Sequence, residues 1–132
     1  MTTEEIKIVK QTWRNLEGID PTLFGDVFYS RLFIADPSLK KMFRLPQEVQ
    51  SKKLIDTLDL IVKSLGRLDE LGNQIKDLGE KHVKYGVLPH HYDKVGDALI
   101  WSLKKGLGKD WNIEVENAWK KCYTILVNAM TN

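Results

Sequence analysis

His82, Tyr29 and Gln50 are the side chains in this sequence with the most chemistry to offer. His82 sits in Leu78-Gly79-Glu80-Lys81-His82-Val83-Lys84-Tyr85-Gly86-Val87, on a stripe in which Leu71, Ile75, Leu78, His82 and Tyr85 recur at spacings of three and four. Residues so spaced share one face of a helix. An imidazole on an apolar face needs partners for both ring nitrogens, because an unpaired buried polar group costs roughly 1–3 kcal/mol. A core histidine bonded to a neighbour is the ordinary solution. Tyr29, Phe43, Gln50 and Leu54 stand elsewhere in the chain as candidates for a second wall of a pocket.

The bulk properties set the frame. At 132 residues, with 42% hydrophobic and 29% charged residues, the chain reads as one globular domain over 1–132 with a substantial core. Twenty basic and eighteen acidic residues, spread evenly, give a net charge of +2. That balance argues against nucleic acid and against an anionic membrane surface. No apolar run reaches the roughly 18 residues of a membrane span, and the polar start Met1-Thr2-Thr3-Glu4-Glu5 is no signal peptide. The lone Cys122 excludes an internal disulfide and a thiolate metal cluster. A cytoplasmic setting is expected.

Nearly every segment has helical periodicity, which predicts an all-α domain of roughly six or seven helices. Thr2 with Glu5 is a capping box opening a helix through Ile6, Val9, Trp13 and Leu16, ended by Gly18. Asp20-Pro21 starts a second helix to about Ala35, with Phe24, Val27, Phe28 and Leu32 as its core stripe and Tyr29 beside it. Asp36-Pro37 repeats the signal and predicts a short helix toward Phe43. A fourth helix follows Pro46 with Val49, Leu54, Ile55, Leu58, Ile61, Val62 and Leu65, apolar around most of its surface. After a connection from Gly66 to Gly72 comes the His82 helix, capped by Gly86. Pro89 opens a long helix that closes at Gly106-Leu107-Gly108, and the last begins near Asn112. His90 and His91, at a helix start, are expected to face solvent.

A proline between the second and third helices, and a short histidine helix isolated by glycines, do not suit a four-helix bundle. The layout resembles the globin family, and within it bacterial single-domain globins and the globin part of flavohaemoglobins. The resemblance spans the chain and rests on Phe28-Tyr29-Ser30-Arg31-Leu32-Phe33, Lys41-Met42-Phe43, Gln50-Ser51-Lys52-Lys53-Leu54, and the run from Lys81-His82 through Tyr85-Gly86-Val87 and His91-Tyr92 to Val95-Gly96. It implies a globin fold, a three-over-three helical sandwich around haem b (iron protoporphyrin). In it His82 matches the proximal ligand of the iron, with Nε2 on the metal and Nδ1–H bonded to a carbonyl, naturally that of Leu78. Phe43 matches the aromatic residue packed on the porphyrin. Tyr29 and Gln50 match the distal polar pair, and Leu54 limits the space above the iron. Phe28, Leu78, Val87, Tyr92 and Val95 fall at cofactor contacts, and Lys53 is placed to reach a propionate.

The resemblance implies reversible, high-affinity binding of dioxygen and other diatomic gases, with Tyr29 donating to the partly negative ligand and Gln50 donating or holding the tyrosine. Nitric oxide dioxygenation is the alternative activity. It needs re-reduction of the iron, and since 132 residues leave no room for the flavin reductase that often follows such a globin, a separate reductase is the expected partner. Tyr92 stands ten residues after His82 as in flavohaemoglobins. The glutamate that those proteins carry near the end of the last helix has no counterpart, its position falling just past Asn132. That departure weakens the dioxygenase and peroxidase-like readings and leaves ligand binding intact. A haem-free interaction or sensor module, and a nitrite reductase or peroxidase using the same iron, are the readings from other classes.

Overall fold

In the computed structural model, which describes residues 1–131, six α-helices are joined by short turns, and no strand occurs among the described residues. They are α1 (Thr3–Asn15), α2 (Pro21–Ala35), α3 (Gln47–Lys63), α4 (Gly72–Lys84), α5 (Pro89–Leu107) and α6 (Ile113–Thr131). Helix α2 packs on both α3 and α5, and α6 packs on both α4 and α1.

Local chemistry sets most boundaries. The Glu5 amide donates to Thr2 Oγ1 at 3.1 Å and the Thr2 amide to Glu5 Oε1 at 2.7 Å, completing the capping box of α1. Such a cap contributes about 1 kcal/mol. Helix α1 stops at Asn15, ahead of Gly18, because the amides of Leu16 and Glu17 turn onto the carbonyls of Trp13 and Arg14. Asp20 caps α2 through the Thr22 amide at 2.9 Å, with Pro21 at the first helical position. Asp36 caps the next segment in the same way, but Pro37–Met42 is a 3-10 helix, not an α-helix. Between Pro37 and Pro46 the chain has room for a short connector only, which the tighter winding suits. Another 3-10 turn, Leu68–Leu71, lies in the connection before α4. Gly86, at φ +86°, ends α4 in the left-handed conformation that a residue with a Cβ adopts only under strain.

The core centres on Val9, Leu32, Leu103 and Trp119, all fully buried. Its two indole N–H groups are tied internally: Trp119 Nε1 donates to Thr12 Oγ1 at 2.9 Å, and Trp13 Nε1 to Asp59 Oδ1 at 3.0 Å. Two residues of the expected apolar stripes lie outside this core. Val49, in the first turn of α3, is 42% exposed, and Tyr85, one residue past the end of α4, is 69% exposed.

Candidate functional site

Among the helices lies a cavity of about 280 Å³ walled by residues of α2 through α6. Phe28, Tyr29, Phe43, Lys53, Leu54, Leu78, His82, Val87, Tyr92 and Val95 all line it. Gln50 does not. Gln50 stands half-buried in the first turn of α3, and its backbone carbonyl accepts from the Tyr29 hydroxyl at 3.3 Å.

His82 is positioned by its own helix. Its Nδ1 lies 2.6 Å from the carbonyl oxygen of Leu78, one turn back. A carbonyl only accepts, so Nδ1 carries the proton and donates, and Nε2 of the neutral ring keeps its lone pair. After the helix, the Val87 amide donates to the His82 carbonyl at 3.0 Å and folds the Gly86 bend back onto the site. The Tyr92 ring lies 6.3 Å from the imidazole, and the Tyr92 carbonyl accepts from the Tyr123 hydroxyl at 2.6 Å. These contacts tie α4, α5 and α6 together around one nitrogen base.

Tyr29 is held on α2 by aromatic neighbours. Its ring meets Phe28 edge-on at 5.0 Å, Phe43 edge-on at 5.2 Å and Phe33 in a stack at 5.8 Å. Burial pushes its phenol up to about 12, so the hydroxyl stays protonated and serves as a donor across the neutral pH range.

The wall includes residues that sequence reasoning left to the core or to solvent. Met42, Leu99, Tyr123, Leu126 and Met130 face the cavity, and nothing in their apolar spacing separates such positions from ordinary core. His91 is the larger surprise. His90 is exposed as expected, but His91 is buried and lines the cavity. The start of α5 has no Ser, Thr, Asp or Asn at its N-cap, and His91 Nδ1 fills that role by accepting the Leu88 amide at 2.9 Å. Asp36 and His90 come within 4.8 Å of it. The bond from Ser38 holds the Asp36 carboxyl below its ordinary range, with His91 and Lys94 adding to the effect. Because Nδ1 accepts, the proton of neutral His91 is on Nε2, which leaves the ring no free lone pair for a metal ion while the cap stands.

The main cavity has a different donor set: one imidazole lone pair among apolar side chains. A bare divalent ion wants three or four protein ligands. An iron porphyrin brings its own equatorial nitrogens and asks the protein for an axial base and an apolar slot. The residues present fit that group, with His82 to hold it.

A model of the globin family matches residues 26–130. The chain is 29% identical to a flavohemoprotein of Bacillus subtilis over 98% of its own length, and 28% identical to neuroglobin-1 of Oncorhynchus mykiss over 99%. It spans 33% of the flavohemoprotein and 91% of the neuroglobin. In three dimensions it is similar to a bacterial globin of Campylobacter jejuni, with a TM-score of 0.82 at 24% identity, covering 98% of this chain and 94% of that one. The matched span takes in Tyr29, His82 and the cavity between them, and the chain belongs to the globin family, whose cofactor is haem.

Proposed function

We propose that the chain holds haem b on Nε2 of His82 and binds dioxygen and related diatomic ligands reversibly and tightly, with Tyr29 donating from the opposite wall. The observation that supports this most is the 2.6 Å bond between His82 Nδ1 and the Leu78 carbonyl. It leaves Nε2 as a free base in the wall of an apolar cavity that also holds a protonated phenol.

When bound, haem supplies an open coordination position and the electron density that makes a diatomic ligand a better hydrogen-bond acceptor. Tyr29 meets that charge with its hydroxyl, an interaction of roughly 1.5–3 kcal/mol. Its present bond to the Gln50 carbonyl is long, so a stronger acceptor takes the hydrogen bond at small loss. Leu54, Phe43, Val87 and Val95 keep water out, which strengthens the polar contact that remains. Lys53, in the same wall, offers a cation to the cofactor's carboxylates. The Val87 amide on the His82 carbonyl and the Tyr92 ring beside the imidazole steady His82. With His91 Nδ1 occupied by the Leu88 amide, His82 would be the one histidine of the cavity to offer the cofactor a free lone pair.

A second reading is nitric oxide dioxygenation, in which nitric oxide and dioxygen yield nitrate and a reductase returns an electron. The similarity to a flavohemoprotein supports it. With a lone buried cysteine, and no described helix long and apolar enough to cross a membrane, we place the protein in the cytoplasm, where a flavin reductase can supply that electron.

Absorption spectra of the haem-reconstituted protein in ferric, ferrous and dioxygen-exposed forms test the reading. A sharp Soret band, and return to the ferrous spectrum when dioxygen is removed, are expected. Failure to take up haem would leave the haem-free module in its place.

A further inference from the structure

His90 and His91 open α5, and the Asp36 carboxylate stands near them, just past the end of α2. One ligand atom from each of the three side chains lies within 4.8 Å of the other two, and the imidazole rings sit 4.3 Å apart, centre to centre. Two imidazoles and a carboxylate differ from the lone base of the main cavity. They supply three ligands to a bare ion and leave a fourth position for water. Metal–ligand bonds of about 2.0–2.2 Å bring ligand atoms within roughly 4 Å of one another, so the cluster must tighten by about 1 Å. His90 is exposed and Asp36 half-buried, and rotation of these two side chains supplies that movement. Both bonds that Ser38 gives Asp36 fall on Oδ1, and none among the described residues engages Oδ2.

His91 is the ligand under restraint. Its Nδ1 accepts the Leu88 amide at 2.9 Å, so the neutral ring has its proton on Nε2. A metal on either nitrogen ends that arrangement. On Nδ1 it displaces the amide, and on Nε2 it sends the proton to Nδ1, where it faces another donor. Capping and coordination therefore exclude each other. Losing the cap weakens the ion's affinity by about twofold to thirtyfold, a modest factor beside three ligand bonds. The positive end of α5 and Lys94 oppose a cation here, and the Asp36 carboxylate offsets them. We propose that Asp36, His90 and His91 form a site for a divalent transition-metal ion of the zinc type, which binds by taking His91 from the Leu88 amide and so uncaps α5. Magnesium and calcium want six or more ligands, chiefly oxygens, and do not suit this set. The site stands by itself, without the haem reading of the main cavity.

Calorimetric titration of the full chain with zinc chloride reads the site, with magnesium chloride as the comparison. One zinc ion per chain is expected, and no saturable heat from magnesium. Loss of a residue that merely hydrogen-bonds a metal ligand already costs about 10–100-fold in affinity, so removing a ligand should weaken zinc binding at least about tenfold. Asp36→Asn and His91→Gln are the informative variants, because each keeps an oxygen for the amide it caps: asparagine for Ser38, glutamine for Leu88. His90→Ala, at an exposed position, completes the set. Undiminished binding in His91→Gln would place the ion elsewhere, on His82 for one, and overturn the site. Absence of saturable binding to the unaltered protein would overturn it too. Hydrogen exchange at the Leu88 amide reads the competition. It should quicken with zinc bound and stay as it was in magnesium. An amide as well protected with zinc as without it would show that His91 keeps its cap, and would overturn the uncapping.

Discussion

Gly25 of α2 lies so close to Ser51 of α3 that a Cβ added to the glycine would overlap the serine side chain. The crossing sets the geometry of the distal wall. Tyr29 is one turn along α2 from the contact, and its hydroxyl bonds the carbonyl of Gln50, the residue next to Ser51. A glycine inside a helix costs about 1 kcal/mol relative to alanine, and the close approach of the two helices offsets that cost. Ser51 Oγ, fully buried, has no hydrogen-bond partner among the described residues, which fits a contact set by space and not by bonding.

Gly25→Ala should therefore destabilise the fold by about 1–3 kcal/mol, the usual penalty of overpacking. Thermal unfolding should show the midpoint lowered by several degrees. Adding Ser51→Gly should recover most of the loss, because it removes the atoms in the way. Additive effects in the double variant would contradict a direct contact.

Tyr29→Phe should speed dioxygen dissociation about tenfold to a hundredfold while leaving haem bound, since it removes a charge-directed hydrogen bond of roughly 1.5–3 kcal/mol. Gln50→Leu keeps the backbone carbonyl and should change the rate by less than about threefold. Stopped-flow displacement on both variants gives the comparison. Equal effects would mean that the Gln50 side chain enters the pocket after all.

Alkaline pH should destabilise the protein through its buried acids. Burial pushes the Cys122 thiol from 9.0 up to about 11 and the Tyr29 phenol from 10.0 up to about 12, and Tyr123 moves in the same direction. The fold favours the protonated forms, so the unfolded chain releases its protons first. Stability is intact below pH 9 and falls as the pH rises past the ordinary values; the Cys122 and Tyr29 shares of that loss are complete once about 11 and 12 are passed. Unfolding midpoints should be level from neutral pH to about 9 and decline above it. Tyr29→Phe should flatten the part of the decline above pH 10.

His91→Ala should cost about 0.5–2 kcal/mol, the value of a lost helix cap, because the Leu88 amide loses its acceptor. Hydrogen exchange should quicken at Leu88 and at the first amides of α5 more than at the middle of that helix. An unchanged rate at Leu88 would contradict the capping role.

Much of this was legible in the residues. The caps at Thr2, Asp20 and Asp36 act through short side chains on nearby amides, so their effect is local and can be read from a few letters. The bond from His82 to Leu78, which the family resemblance implied, spans one turn of one helix and so needs no tertiary contact. His91 was misjudged because its burial depends on how α5 meets the end of α2, a tertiary fact with no local signature. The bond from Tyr29 to the Gln50 carbonyl was not legible for a related reason: helical register places a residue on a face, whereas the crossing at Gly25 decides which atom of Gln50 meets Tyr29. The winding of Pro37–Met42 depended on how little chain separates two prolines.

The central claim is a bond from one imidazole nitrogen to iron, and replacing that imidazole with an added one tests it most directly. His82→Gly, reconstituted with haem, should lose the ferrous five-coordinate histidine spectrum and regain it when free imidazole is titrated in. A His82→Gly protein that kept the original spectrum without imidazole would show that another residue holds the cofactor, and the assignment would fall.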